Sequence, residues 1–203
     1  CWYILDCPEG ATLVVGHNAK DKEECAKMIH EGRWSEFIRE VPIHKGDFVS
    51  IVPGTVHAIK AGVMLLETQQ NSDITYRVYD YDRLSNGRKR ELHVEKSIDV
   101  INAPASPAQD SIHNFANVMK NKPVLMEKSA YYKVWKLVVE AGPKLQLSRE
   151  KDFDSSYLLA SVVAGSGYIN DTAIKKGDHF IVTNECDSLS FSGDMEIILS
   201  AQI

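Results

Sequence analysis

Apolar and polar residues alternate in short runs along most of the chain, and the period lengthens in two places. Residues 2–5 and 12–15, on either side of the turn Pro8-Glu9-Gly10, read as two short strands. Asp21-Lys-Glu-Glu24 is a capping pattern, an acidic cap followed three residues later by Glu, and Ala26, Met28 and Ile29 after it keep helical spacing. Trp34, Phe37 and Ile38 carry that stripe past Gly32. The spacing predicts a broken helical pair over 21–40, with its aromatic residues in the core.

From Val41 the pattern returns to short β-rich runs broken by Gly and Pro, at 48–52, 56–59, 62–67 and 74–79. Closely spaced short strands point to a sandwich or barrel. A second helix is predicted over 91–100, where Leu92, Glu95, Lys96 and Asp99 set charges beside an apolar face. The stretch Asn102-Ala-Pro104-Ala-Ser-Pro107 interrupts every pattern, so 104–122 is the expected linker. Strands resume at 131–139, 145–148, 157–163, 178–182, 188–192 and 195–203.

The predicted organisation is a β unit over 1–103, the linker, and a second β unit over 123–203. Ile43-His-Lys-Gly-Asp-Phe48 recurs as Ile174-Lys-Lys-Gly-Asp-His179, each followed by a β-rich run. A Lys-Gly-Asp turn before a strand is common in β proteins, but with both units β-rich the recurrence reads as an internal duplication.

Composition narrows the function classes. A net charge of -5 with 25% charged residues gives no basic surplus for a nucleic acid backbone. Arg83, Arg88, Lys89 and Arg90 form a local basic cluster of a size that suits a small anion such as a sugar phosphate. Cys1, Cys7, Cys25 and Cys186 have neither zinc-knuckle nor disulfide-framework spacing, which fits a reducing compartment. With no leader pattern and no membrane-length apolar run, a soluble cytoplasmic protein is expected. The chain opens directly on Cys-Trp-Tyr-Ile-Leu, which reads either as a processed or engineered start or as a fragment beginning inside a domain.

The chemistry concentrates where the first copy of the repeat runs on as Gly46-Asp-Phe-Val-Ser-Ile-Val-Pro53-Gly54-Thr55-Val56-His57. This spacing resembles the second motif of cupin proteins, with Val52 where the motif usually has Pro. Gly54 permits a tight turn, and strand alternation then aims His57 into a barrel, where an imidazole can meet a metal. Spacing alone leaves His57 either a ligand or a packed strand histidine. In the second copy the same offset from Gly177 falls on Ser188, so no metal site is expected there.

The surrounding residues carry a closer resemblance. Gly54-Thr-Val-His57-Ala-Ile59, Glu67-Thr-Gln-Gln-Asn-Ser-Asp73-Ile-Thr-Tyr-Arg77-Val-Tyr-Asp80, Asp82-Arg83, Gly87, Arg90-Glu-Leu-His93, Lys96 and Asp99-Val-Ile101 resemble the signature region of bacterial type I, zinc-dependent mannose-6-phosphate isomerases. Most of the first 101 residues match in order, whereas the second unit matches only in general character.

The resemblance implies an all-β fold of two double-stranded β-helix (cupin, jelly-roll) units in tandem with a short helical insertion. It implies zinc as cofactor, held by His57 and by family ligands that would lie before Cys1. The chain is therefore expected to correspond to the C-terminal two thirds of such an enzyme, lacking an N-terminal segment that completes the site. The implied activity interconverts mannose 6-phosphate and fructose 6-phosphate. Arg77 and Asp73 are the expected catalytic residues; Glu67, Arg83 and Lys96 are expected substrate contacts. The alternative from another class is a non-catalytic sugar-binding or regulatory cupin.

Overall fold

The opening apolar run forms an interior strand of the first of two units, Cys1–His113 and Asn114–Ile203, in the computed structural model, which describes residues 1–72 and 74–203. In chain order the first unit has β1 (Trp2–Asp6), β2 (Thr12–His17), α1 (Lys22–His30), α2 (Trp34–Phe37), β3 (Ile38–Pro42), β4 (Asp47–Val49), β5 (His57–Ala58), β6 (Met64–Glu67), β7 (Leu84–Ser85), β8 (Arg88–Lys89), α3 (Val94–Val100) and β9 (Ile112–Asn114). Two sheets carry the unit, one ordered β6-β1-β4-β9 and the other β3-β2-β5. Trp2, Ile4 and Val49 from the first meet Leu13 and Val15 from the second in one buried cluster.

The predicted helical pair is present between β2 and β3. Asp21 accepts the Glu24 N–H at 2.8 Å, and the Glu24 carboxylate accepts the Lys20 N–H, so the cap works in both directions. Cys25, Met28, Ile29 and Phe37 form a separate apolar cluster with Ile98 and Ile101 of the α3 segment.

The second unit runs β10 (Val124–Lys128), β11 (Tyr132–Val139), β12 (Leu145–Ser148), α4 (Arg149–Phe153), β13 (Leu158–Ile169), β14 (Thr172–Lys175), β15 (His179–Val182) and β16 (Ser188–Gln202). The runs expected at 188–192 and 195–203 are one 15-residue strand. Besides pairing with each other, the two long strands each serve two further ladders: β13 pairs β15 through its first half and β14 through its second, and β16 pairs β12 first and β11 later. Their shared ladder shifts register between Val162 and Ala164, and further along it Gly167 lies opposite Gly193. A Cβ on nearby Gly165, at φ +69°, would sit 2.0 Å from the Asp194 carbonyl oxygen. Its main buried cluster has Leu137, Leu158, Leu189, Phe191, Ile197 and Leu199 at its centre.

The two copies of the repeat fold the same way. Asp47 accepts the His44 N–H and donates its own N–H to the His44 carbonyl; Asp178 does the same with Lys175. The glycines between them have φ of +88° and +94°, and their N–H groups bond to Ile4 and Val162 of the neighbouring strands. Downstream registers agree as well, with Tyr3 opposite Phe48 and Ser161 opposite His179.

Three expectations are corrected. Residues 74–79 contain no strand, because the backbone of Arg77 is bonded to His93 through both its N–H and its carbonyl instead of to a neighbouring strand. The strand expected over 48–52 ends at Val49, after which Ser50 donates to the Ser111 carbonyl. The stretch read as a linker begins with structure that belongs to the first unit: a 3-10 turn at Ala108–Asp110 and then β9 beside β4. The unit boundary falls within that stretch, at His113 and Asn114.

Glycine substitutions separate two costs. Gly177 has open space around its missing Cβ, so Gly177→Ala should cost only the left-handed strain, about 1–2 kcal/mol. Gly165→Ala adds a backbone clash and should lower the urea midpoint considerably more; equal midpoints would contradict the close approach of β13 and β16.

Candidate functional site

Cross-strand partners in a sheet share a face, so register alone assigns sides. His57 lies opposite Val15, a residue of the inner core, and Ala58 lies opposite Val14 on the other face. The imidazole is therefore on the inner side, as alternation predicts. Trp2 lies opposite Glu67 and is also an inner residue. Its indole meets the His57 ring edge-on at 5.5 Å between centroids, and its Nε1–H donates to the Glu67 carboxylate at 3.0 Å. His57 and Glu67 are thus joined through Trp2, and both are exposed at the open side of the unit.

A short turn sets His57. Thr55 N–H bonds to the Val52 carbonyl, with Pro53 and Gly54 between them and Gly54 at φ +83°, the pattern of a type II turn. A side chain on Gly54 would come within 2.6 Å of Asn102 Nδ2 and of the Val100 carbonyl oxygen. Two residues on, His57 Nδ1 is 2.8 Å from the Thr55 carbonyl oxygen. A carbonyl can only accept, so the proton is on Nδ1 and the Nε2 lone pair is the one available. This is the form in which an imidazole binds a metal through Nε2, with its second nitrogen held by a carbonyl.

Arg77 is in a loop. Its N–H donates to His93 Nδ1 at 3.3 Å, its carbonyl accepts the His93 N–H at 2.7 Å, and its guanidinium donates to the Glu91 carbonyl. Lys96 is exposed, with its ammonium 5.9 Å from the Tyr76 ring centroid, and Tyr76 neighbours His93. Arg77 and Lys96 therefore cluster around Tyr76 and His93. Asp73 lies outside the described residues.

Arg83 belongs to a different group. It and Arg90 both bond the buried carboxylate of Asp80, and Lys89 pairs with Asp82. Arg90 foremost, then Arg83, holds the Asp80 carboxyl well below the usual carboxylate range. Three of the four residues in the basic cluster are thus turned toward acidic partners. Tyr79 of the same loop stacks on Trp34 at 4.4 Å, and Tyr79, Tyr81 and Trp34 line a cleft with Val14 and Ala58, on the face of the β3-β2-β5 sheet opposite the His57 imidazole.

Three participants were not anticipated: Trp2, Asn102 and His17. His17 is buried against Phe37, accepts the Ala19 N–H at Nδ1 and donates from Nε2 to the Asn102 carbonyl. Both nitrogens are thereby committed in the neutral form. Burial is the main cause that pushes its pKa below the ordinary 6.5.

Among the described residues no group of three His, Cys, Asp or Glu is placed to hold a metal. His57 has the donor chemistry of one ligand, and the described residues do not by themselves complete a site. In the second unit, Ala160 and Leu199, both buried, occupy the places of Trp2 and Glu67. Carrying the β13–β16 pairing two residues beyond Ile169 and Phe191 brings Leu189, rather than Ser188, to the place of His57.

Residues 125–202 match the family model described as mannose-6-phosphate isomerase, cupin domain. A mannose-6-phosphate isomerase of Streptococcus mutans is 42% identical over 209 residues, which span 98% of this chain and 62% of that protein. The crystal structure of mannose 6-phosphate isomerase from Bacillus subtilis superposes with a TM-score of 0.78 at 34% identity, over 98% of this chain and 63% of that one. A mannose 6-phosphate isomerase crystallised with zinc and yttrium shares the fold at 14% identity, with a TM-score of 0.65 over 84% of this chain and 41% of the other. The chain thus spans 62% of the Streptococcus mutans protein and 63% of the Bacillus subtilis one. No helix is long and apolar enough to cross a membrane among the described residues.

Because the folded pKa of His17 is depressed, the folded protein binds fewer protons there than the unfolded chain does below pH 6.5. Its contribution to stability is present above 6.5 and is lost as pH falls through the folded value. The His17 C2 proton should titrate below 6.5 by NMR, and the urea midpoint should decline from pH 7 to 5 less steeply in His17→Gln. A His17 titration at or above 6.5 would refute the committed neutral pair.

Proposed function

We propose that the chain belongs to the mannose-6-phosphate isomerase family and that the whole protein interconverts mannose 6-phosphate and fructose 6-phosphate by moving a proton between C1 and C2 of the open-chain sugar. The observation that carries this reading is His57, with its proton tied to the Thr55 carbonyl and its Nε2 lone pair free, beside the Trp2–Glu67 pair at the open side of the first unit.

Isomerisation needs a base, an electrophile on the two oxygens and a hold on the phosphate. The electrophile proposed is zinc, which when bound polarises carbonyl and hydroxyl oxygens and lowers the energy of the enediolate. His57 is proposed as one of its ligands. Catalytic zinc takes three protein ligands as a rule, so the remaining two are assigned to groups outside the described residues.

The chain's own residues take the other roles. Glu67 has one carboxylate oxygen engaged by the Trp2 indole, which fixes its direction and leaves the other to accept from a sugar hydroxyl. Arg77, its backbone clamped by His93, presents a guanidinium suited to the enediolate or to substrate alignment. Asp73 is proposed to orient Arg77 or take part in proton transfer. Lys96 is the better phosphate contact, since Arg83 is already paired with Asp80. The first unit is proposed to carry the site and the second, filled by apolar residues at the equivalent places, to carry none.

In the full-length protein, His57→Ala should lower both zinc content and fructose 6-phosphate formation by about 100-fold or more, while Arg77→Ala should lower kcat by about 100-fold with zinc retained. The checks are metal analysis and a coupled assay. Wild-type turnover in both variants would sink the assignment; stoichiometric zinc with no turnover in the wild type would make the protein a sugar-binding cupin.

A further inference from the structure

Five consecutive carbonyls, of residues 52–56, each accept one hydrogen bond from a different donor. Val52 accepts from Thr55 N–H, Pro53 from the Asn102 side-chain amide at 2.8 Å, and Gly54 from the Asn102 N–H at 3.0 Å. Thr55 accepts from His57 Nδ1, and Val56 from the Gly16 N–H. One residue, Asn102, thus holds two adjacent peptide groups immediately before the one that receives the imidazole proton. Asn102 is itself fixed, because its carbonyl accepts from His17 Nε2 and its amide packs where Gly54 lacks a Cβ.

We infer that Asn102 is the positioning residue for His57: by clamping the Pro53 and Gly54 carbonyls it aims the Thr55 carbonyl at Nδ1, so that Nε2 is left bare. The inference rests on the reading of His57 as the site's imidazole, but it concerns geometry that is present without any metal. An imidazole in water favours the proton on Nε2, so an Nδ1–H form has to be imposed by an acceptor held in place. A carbonyl in a short turn can tilt with its peptide plane unless its neighbours are tied. Here the turn bond to Val52 and the Gly16 bond to Val56 hold one side, and the tie on Pro53 and Gly54 comes from the far end of α3, almost fifty residues away in sequence. The Trp2 ring touches His57 edge-on and restrains its tilt, but it offers no acceptor to Nδ1.

The test reads the tautomer directly in this chain, by 15N-detected NMR of the His57 ring at pH 8, with the resonance assigned by its loss in His57→Gln. Wild type should show the Nδ1–H form in clear majority. Asn102→Ala, and the isosteric Asn102→Asp, which has no side-chain donor for Pro53, should shift the tautomer ratio toward Nε2–H by about fivefold or more. Ile29→Ala, which removes buried volume from the helical cluster, should lower stability and leave the ratio unchanged. Retention of the wild-type ratio in either folded Asn102 variant, an equal shift in Ile29→Ala, or a wild type already dominated by Nε2–H would overturn the inference. No metal or substrate enters the measurement, so its failure is separate from that of the isomerase reading, which the zinc content and turnover of His57→Ala decide.

Discussion

A turn that aims a side chain must have its peptide groups held, and at residues 52–56 five carbonyls in a row each accept a hydrogen bond. That requirement links parts of the first unit that are distant in sequence. β2 supplies Gly16, the segment after α3 supplies Asn102, and the turn supplies Thr55 and His57. Gly54 is required at the centre for two separate reasons, its left-handed backbone and the atoms of residues 100 and 102 packed against it. The α3 segment in turn is held by Lys22 of α1, whose ammonium bonds the carbonyls of Asp99 and Ile101. The helical insertion is therefore linked to the imidazole through a chain of hydrogen bonds.

The two units show what a shared frame can and cannot decide. The Lys-Gly-Asp turn, the strand pairings and the buried residues Ile4 and Val162 correspond between them. What differs is the filling. In the first unit Trp2 is packed in the core with His57 and Glu67 exposed beside it, while in the second Ala160, Leu199 and Leu189 are all buried in the apolar cluster. Burying polar groups without partners costs more than burying apolar ones, so the second unit is the more economical packing and the first keeps its polar residues at an open side.

Much of this frame was legible in the sequence. Alternation located β1, β2, β5 and β6, the capping pattern located α1, and the recurrence of Lys-Gly-Asp marked equivalent turns. The side of the sheet on which His57 lies followed from alternation as well. The segment 74–79 misled, because Ile, Tyr and Val there look like a strand, yet a histidine sixteen residues away takes its backbone bonds. Asn102 was hidden for a related reason. It opens a Pro-rich stretch that reads as a break, and nothing local shows that a residue beside a break is bonded to a turn near residue 54. Strand β9 was missed in the same stretch, since three residues at a sheet edge carry no period.

The helices between β2 and β3 occupy a place that the second unit closes with the two residues Asn170 and Asp171 between β13 and β14. A hairpin tip is the one point of a ladder where chain length can change while every paired residue keeps its partner, and loop entropy rises only logarithmically with such an insertion. The cleft wall that carries Trp34 is thus a module that can be lengthened, shortened or exchanged with the barrel register unaltered. The packing on the outer face of the β3-β2-β5 sheet is free to diverge in evolution faster than the frame that holds His57.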